Sequence, residues 1–171
     1  MITKISEQSD FVALTKLLND AFGTVAKEFG LTKENCPTNN AFITCEELKS
    51  QLSDSREFYG YADKDKITGF IAIERSSRDP DTFYIEKVAV HPDYRHQHLG
   101  HRLMDFASQR IWELGGKRIS IGLIDSNKVL KDWYMGQGFS FVEVKIYEHL
   151  PFDVCMMEKK LEGYEDRSDK E

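Results

Sequence analysis

The chain has 171 residues, enough for one domain with a sizeable core and short for two. Its formal charge of −6 argues against general nucleic-acid binding, which wants a basic face. The first ten residues hold no apolar signal core, no apolar run reaches a membrane span, and the three cysteines lack CxxC spacing, so a reducing, cytoplasmic setting without zinc cluster or disulfide framework is expected.

Taken in order, Ile2 to Ser6 alternate as a short strand. Ser9 or Asp10 can cap a helix whose apolar face is Phe11, Leu14, Leu17, Leu18 and Phe22. From Thr24 to Thr44, Gly30, Pro37 and the pair Asn39-Asn40 predict short helical or loop pieces. Thr44 with Glu47 spells a capping box, so a helix is expected from Cys45 to about Leu52. Strands follow at Glu57 to Ala62 and Ile67 to Glu74, joined by a turn at Asp63 to Lys66, and then at Thr82 to Val90. A helix with Leu103, Phe106 or Ala107, Ile111 and Leu114 on one face ends at Gly115-Gly116. Arg118 to Ile124 reads as a buried strand. Ser126 or Asn127 caps a helix carrying Val129, Leu130, Trp133 and Tyr134, closed at Gly136 or Gly138. The last strands are Phe139 to Tyr147 and about Phe152 to Lys159. The order β-α-α-β-β-β-α-β-α-β-β predicts one mixed α/β sheet with helices on both faces, and not a doubly wound fold. One domain is expected over 1–161, with 162–171 a charged, disordered tail.

The middle of the chain carries the chemistry. An apolar strand stops at Pro92, a loop rich in Arg and His follows, and a helix begins. Free backbone amides and the helix dipole favour phosphate at such a junction. Between His91 and Arg118 the acidic chain turns locally cationic, which suits a small anionic ligand better than a long polyanion.

Three features together resemble the GNAT superfamily of acetyl-CoA-dependent N-acetyltransferases. One is the run VAVHPDYRHQHLGHRL from Val88 to Leu103, close to the family's strand, R/Q-x-x-G-x-G/A loop and helix. Another is Asn127 followed by WYMGQGF from Trp133 to Phe139, and the third is the order of elements over nearly the whole chain. The resemblance implies a GNAT-like, mostly antiparallel central sheet in an α+β arrangement. It implies acetyl-CoA as cosubstrate and an amine acceptor attacking directly in a ternary complex, with no metal or prosthetic group. It leaves monomer or homodimer open, while charge and hydropathy argue against nucleic acid and membrane as partners.

By the same resemblance, the amides of Arg95, His96, Gln97, His98, Leu99, Gly100 and His101 bind pyrophosphate, with Arg102 and the histidines adding positive field. Val88, Ala89 and Val90 form the rail for the pantetheine arm, where the family strand is splayed by a bulge, and an amide near Val90 polarises the thioester. Tyr134 is the general acid for the leaving thiolate, and Asn127 contacts CoA. Glu86, on the central strand, is the tentative general base, with Glu148 and His149 weaker ones. His98 departs from the family by replacing the first motif Gly. His is enriched at positive φ, so the turn can survive, at the cost of room beside the phosphates.

Each residue also has a plainer reading: a solvated βα connection for the loop, a core strand for Val88 to Val90, a core tyrosine for Tyr134, a helix cap for Asn127 and a cross-strand salt bridge for Glu86. A metal site at His96, His98 and His101 lacks carboxylate or thiolate partners. Cys36 has no His partner that would make it a nucleophile, and more simply packs the loop from Phe29 to Phe42, where acceptor choice is expected. The alternative function is a non-catalytic acyl-CoA-binding or sensing protein on the same scaffold. An unrelated nucleotide binder lacks both GxxxxGK[ST] and GxGxxG.

Overall fold

The structure, a computed structural model, describes residues 1–162, and the tail expected to be disordered lies outside them from residue 163 onward. Seven strands form one sheet: β1 (Ile2–Lys4), β2 (Arg56–Asp63), β3 (Lys66–Arg75), β4 (Thr82–Val90), β5 (Arg118–Ile124), β6 (Ser140–Lys145) and β7 (Val154–Lys160), in the spatial order β1-β2-β3-β4-β5-β7-β6. Every neighbouring pair is antiparallel except β4 with β5. The parallel pair needs a crossover, and the long helix between those strands supplies it.

Four helices cover the two faces: α1 (Phe11–Glu28), α2 (Cys45–Ser50), α3 (Leu99–Glu113) and α4 (Lys128–Gly136). Asp10 begins α1 by accepting from the Ala13 amide, and Thr44 and Glu47 complete the capping box of α2. Leu14, Leu17 and Leu18 of α1 and Leu48 of α2 pack on Phe58, Phe70, Ala72 and Ala89, so these helices cover one face. Leu103, Met104, Ala107 and Ile111 of α3 and Tyr134 of α4 pack on Ile71, Ile73, Ile85, Ile119 and Ile121 of the other. Each such fully buried aliphatic side chain contributes roughly 1.5–3 kcal/mol. Alternation along β3 therefore sends Phe70 and Ala72 to the α1 face and Ile71 and Ile73 to the α3 face. Gly116 is required where α3 turns into β5: a Cβ there would lie 2.5 Å from Ile111 Cγ2 and 2.7 Å from Phe83 Cδ2.

One expectation changes. The first helix runs on through Thr24 to Glu28, past Gly23, because Ala26 at its end is buried with Leu31 and Cys36. That burial outweighs the roughly 1 kcal/mol helix penalty of one glycine. Val129 belongs to no buried face; at 82% exposed it points to solvent, and α4 packs through Leu130, Trp133 and Tyr134. β6 is the sheet edge, and all six of its residues are exposed.

Candidate active site

The strands β4 and β5 pair only at their start, through Thr82–Tyr84 opposite Arg118–Ser120. Beyond that point β5 stays bonded to β7 as far as Ile124, while β4 stays with β3 as far as Val90. The sheet thus opens along Ile85–Val90, leaving one edge of β4 without a strand partner. The physical cause is a bulge. Phe70 opposes Ala89 and Ala72 opposes Glu86, so Lys87 and Val88 together face Ile71. Lys87 takes the strain, with φ at 53°.

The ladder also orients the open edge. The amide of His91 donates to Thr68 O, which makes that pair hydrogen-bonded. Alternation then turns the amide and carbonyl of Val90 away from β3 and toward the gap.

After Val90 a 3-10 turn at Pro92–Tyr94 leads into α3. His96 and His98 both lie in the left-handed region, at φ 61° and 59°. His98, standing where the motif has glycine, thus adopts the backbone that position requires. It is the N-cap of α3, and its side chain makes no capping bond. Among the described residues the amides of His96 through His101 donate to no backbone carbonyl, so the first turn of α3 presents a row of free N–H groups. Trp133 of α4 closes the back of this turn: a Cβ on Gly100 would meet Trp133 Cζ2 at 3.1 Å. The His101 ring packs edge-on to Trp133, with centroids 5.5 Å apart.

Arg95 belongs to a different assembly. Its amide donates to Pro92 O, and its guanidinium donates to Ala21 O at 2.9 Å, Thr24 Oγ1 at 3.0 Å and Val90 O at 3.4 Å. It ties the loop to α1 and is not one of the free donors. Arg102 is exposed, 3.4 Å from the Tyr61 hydroxyl.

Tyr134 sits on the α3 face, in the core cluster that Val88 and Val90 join from the open edge of β4. Its ring meets Trp133 and Phe139 edge-on, and its hydroxyl makes no hydrogen bond among the described residues. Burial pushes its phenol well above the ordinary value, so the group holds its proton through the neutral range. Asn127 caps α4, accepting from the Leu130 amide at 3.2 Å.

Glu86 lies on the opposite face, since it pairs with Ala72. Its carboxylate is 3.7 Å from Arg56 Nη2 and 3.8 Å from Lys87 Nζ, and it accepts no hydrogen bond among the described residues. Arg56 Nη2 donates to Glu74 at 2.6 Å. A cleft of about 410 Å3 adjoins this quartet, lined by Ser55, Glu74, Arg75, Ser76, Ser77 and Tyr84. Glu148 and His149 lie on the β6–β7 connection; the His149 ring packs with Tyr147, and neither joins the quartet. Cys36 is buried with Ala26, Leu31 and Ile124, and burial pushes its thiol up, away from the reactive thiolate.

The structure therefore brings Val88, Val90 and Tyr134 to one side of the opened edge and Glu86 to the other, with the free amides at its end. Arg56, Glu74 and Lys87 were missed from the sequence. The available signal was Glu86-Lys87, two charges in a row that break the alternation of an otherwise apolar strand and mark a bulge.

Comparison with known proteins agrees with this geometry. Residues 29–161 match the family model for the acetyltransferase (GNAT) domain. An uncharacterised N-acetyltransferase in the pepI 3′ region of Lactobacillus delbrueckii subsp. lactis is 22% identical over 152 residues, covering 81% of this chain and 83% of that protein. Among solved structures, the ribosomal-protein-S18-alanine N-acetyltransferase of Escherichia coli superposes with a TM-score of 0.73 at 16% identity, covering 98% of this chain and 97% of that one. The PaiA N-acetyltransferase of Thermoplasma acidophilum, solved with coenzyme A, gives 0.73 at 19% identity, covering 94% and 98%. With its opened β4 edge, its loop of free amides and a family model matched over most of its length, the chain belongs to the GNAT acetyltransferase family.

Proposed function

We propose that this protein transfers an acetyl group from acetyl-CoA to a primary amine by direct attack in a ternary complex. The observation that carries the reading is the opened edge of β4, which ends at six amides without backbone partners. These residues fit CoA: an extended arm can pair along Val88–Val90 as an added strand, and a pyrophosphate suits the amides of His96–His101 at the start of α3. The coenzyme-A complex of the Thermoplasma relative supports the same ligand. When bound, acetyl-CoA supplies the activated acyl group.

The chain's own residues do the rest. The Val90 amide, aimed into the gap, donates to the oxygen that gains charge as the thioester carbonyl is attacked. Glu86 takes the proton of the incoming ammonium, and Tyr134, kept protonated by burial, gives a proton to the departing thiolate. One C–N bond forms and one C–S bond breaks. The left-handed His98 keeps the loop backbone that CoA binding needs, under the catalytic reading and the binding-only alternative alike.

The test is thiol release from acetyl-CoA across a broad amine panel, with Tyr134→Phe beside the wild type. Turnover should fall about 100-fold in the variant while the thermal shift caused by CoA is kept. Unchanged turnover would remove Tyr134 from the mechanism. CoA stabilisation without thiol release from any amine would favour the binding-only protein.

A further inference from the structure

Lys87 is the one residue where backbone strain and a buried charge coincide beside the opened edge. Its φ of 53° is a left-handed conformation that strains a non-glycine residue. Its side chain is 9% exposed, and among the described residues its ammonium donates no hydrogen bond. The nearest carboxylate oxygen, on Glu86, is 3.8 Å away, too far for one. An ammonium this enclosed and held only by an ion pair at 3.8 Å keeps its hydrogens for water or a ligand.

The rest of the quartet defines that partner. Arg56 and Glu74 spend their charges on each other at 2.6 Å. Glu86 and Lys87 are held to each other only as an ion pair at 3.8 Å, so two acceptor oxygens and three donor hydrogens there take part in no hydrogen bond among the described residues. Two cations and two anions sum to zero. A simple amine or polyamine entering as an ammonium would leave a net positive charge and Lys87 still without a bond. A molecule carrying both an ammonium and a carboxylate keeps the balance and gives each member of the pair a charge-assisted bond.

We infer that the acceptor is a free amino acid or a close zwitterionic analogue, whose amine is received by Glu86 and whose carboxylate is bound by Lys87. The inference rests on the acetyltransferase reading and narrows its acceptor. Lys87 acts in it as a specificity residue that holds the carboxylate while Glu86 takes the proton. Burial pushes the Lys87 ammonium down and Glu86 offsets part of that, so a bound carboxylate returns support to the charged form.

The experiment uses matched acceptors with the purified protein: each amino acid, its carboxamide and its decarboxylated amine, scored by thiol release from acetyl-CoA. Wild type should favour the acid of each set by about 10- to 100-fold in kcat/KM, the value of one charge-assisted bond. Lys87→Met should collapse that ratio through KM with the acid, and Lys87→Arg should restore part of it. Equal use of acid and carboxamide by wild type, or no use of any acid, overturns the inference even if Lys87→Met fails to fold. An unchanged ratio in folded Lys87→Met does the same. Thermal stabilisation by CoA separates the two levels: if it is present, only the acceptor assignment has failed, and if it is absent, the acetyltransferase reading has failed as well.

Discussion

Arg56 and Glu57 are neighbours on β2, and alternation sends them to opposite faces of the sheet, into two charge clusters of different kinds. Glu57 is saturated: it accepts from Lys4 at 2.6 Å, from the Tyr59 hydroxyl at 2.6 Å and from the Arg110 guanidinium through two bonds of 3.1 Å. Arg56 belongs to a quartet with one hydrogen bond of 2.6 Å and two looser contacts, at 3.7 and 3.8 Å. The first cluster ties β1, β2 and α3 together and has no carboxylate capacity left over. The second, beside the opened edge, holds charges close without joining them. A saturated network serves stability, whereas an unsaturated one keeps its bonding capacity for a ligand.

That contrast can be broken from either side. The largest expected effect is from Glu86→Gln, which keeps shape and removes the proposed base: kcat/KM should fall about 100-fold. Because no hydrogen bond is lost, its Tm should move less than that of Glu57→Gln. Wild-type turnover in Glu86→Gln would assign the quartet to structure after all. Next comes Glu57→Gln, which leaves Arg110 and Lys4 without their carboxylate. It should cost about 2 kcal/mol, or roughly 4–8 °C in Tm, with acetyl transfer little altered. A stable but inactive Glu57→Gln protein would invert the comparison.

The smallest effect is an acid titration. Burial pushes the Glu57 carboxyl up, but hydrogen bonds from Arg110, Lys4 and Tyr59 outweigh it and hold the group at about 2, below its ordinary 4.5. A carboxyl lowered on folding adds stability above its unfolded pKa and loses it as pH falls through the folded value. Between about pH 4.5 and pH 2 the wild type should therefore lose stability more steeply than Glu57→Gln. Parallel denaturation curves over that window would show that the saturated network does not act through Glu57.

What could be read locally was read well, and the reason is physical. Capping at Asp10, Thr44 and Asn127 depends on residues three apart, so sequence spacing alone carries it. The turn at His98 needs only a residue that tolerates positive φ, and the glycine ends of α3 and α4 obey the same logic. The reach of α1 past Gly23 was not legible, because the contacts that support it come from Leu31 and Cys36, beyond the helix. The sequence places Arg95 among the phosphate-binding amides; the folded loop turns its amide onto Pro92 O and its guanidinium onto α1.

The sequence by itself determined the element order, the cationic loop before α3 and the tyrosine on α4. These follow from periodicity, breakers and a motif within short stretches of chain. Only the tertiary structure decided how far β4 and β5 stay paired, that Lys87 absorbs the bulge, and that Glu74, Arg56 and Glu86, from three different strands, form a run of ion pairs ending at its ammonium. Such contacts depend on register across the sheet, and a one-residue shift there moves every side chain to the other face.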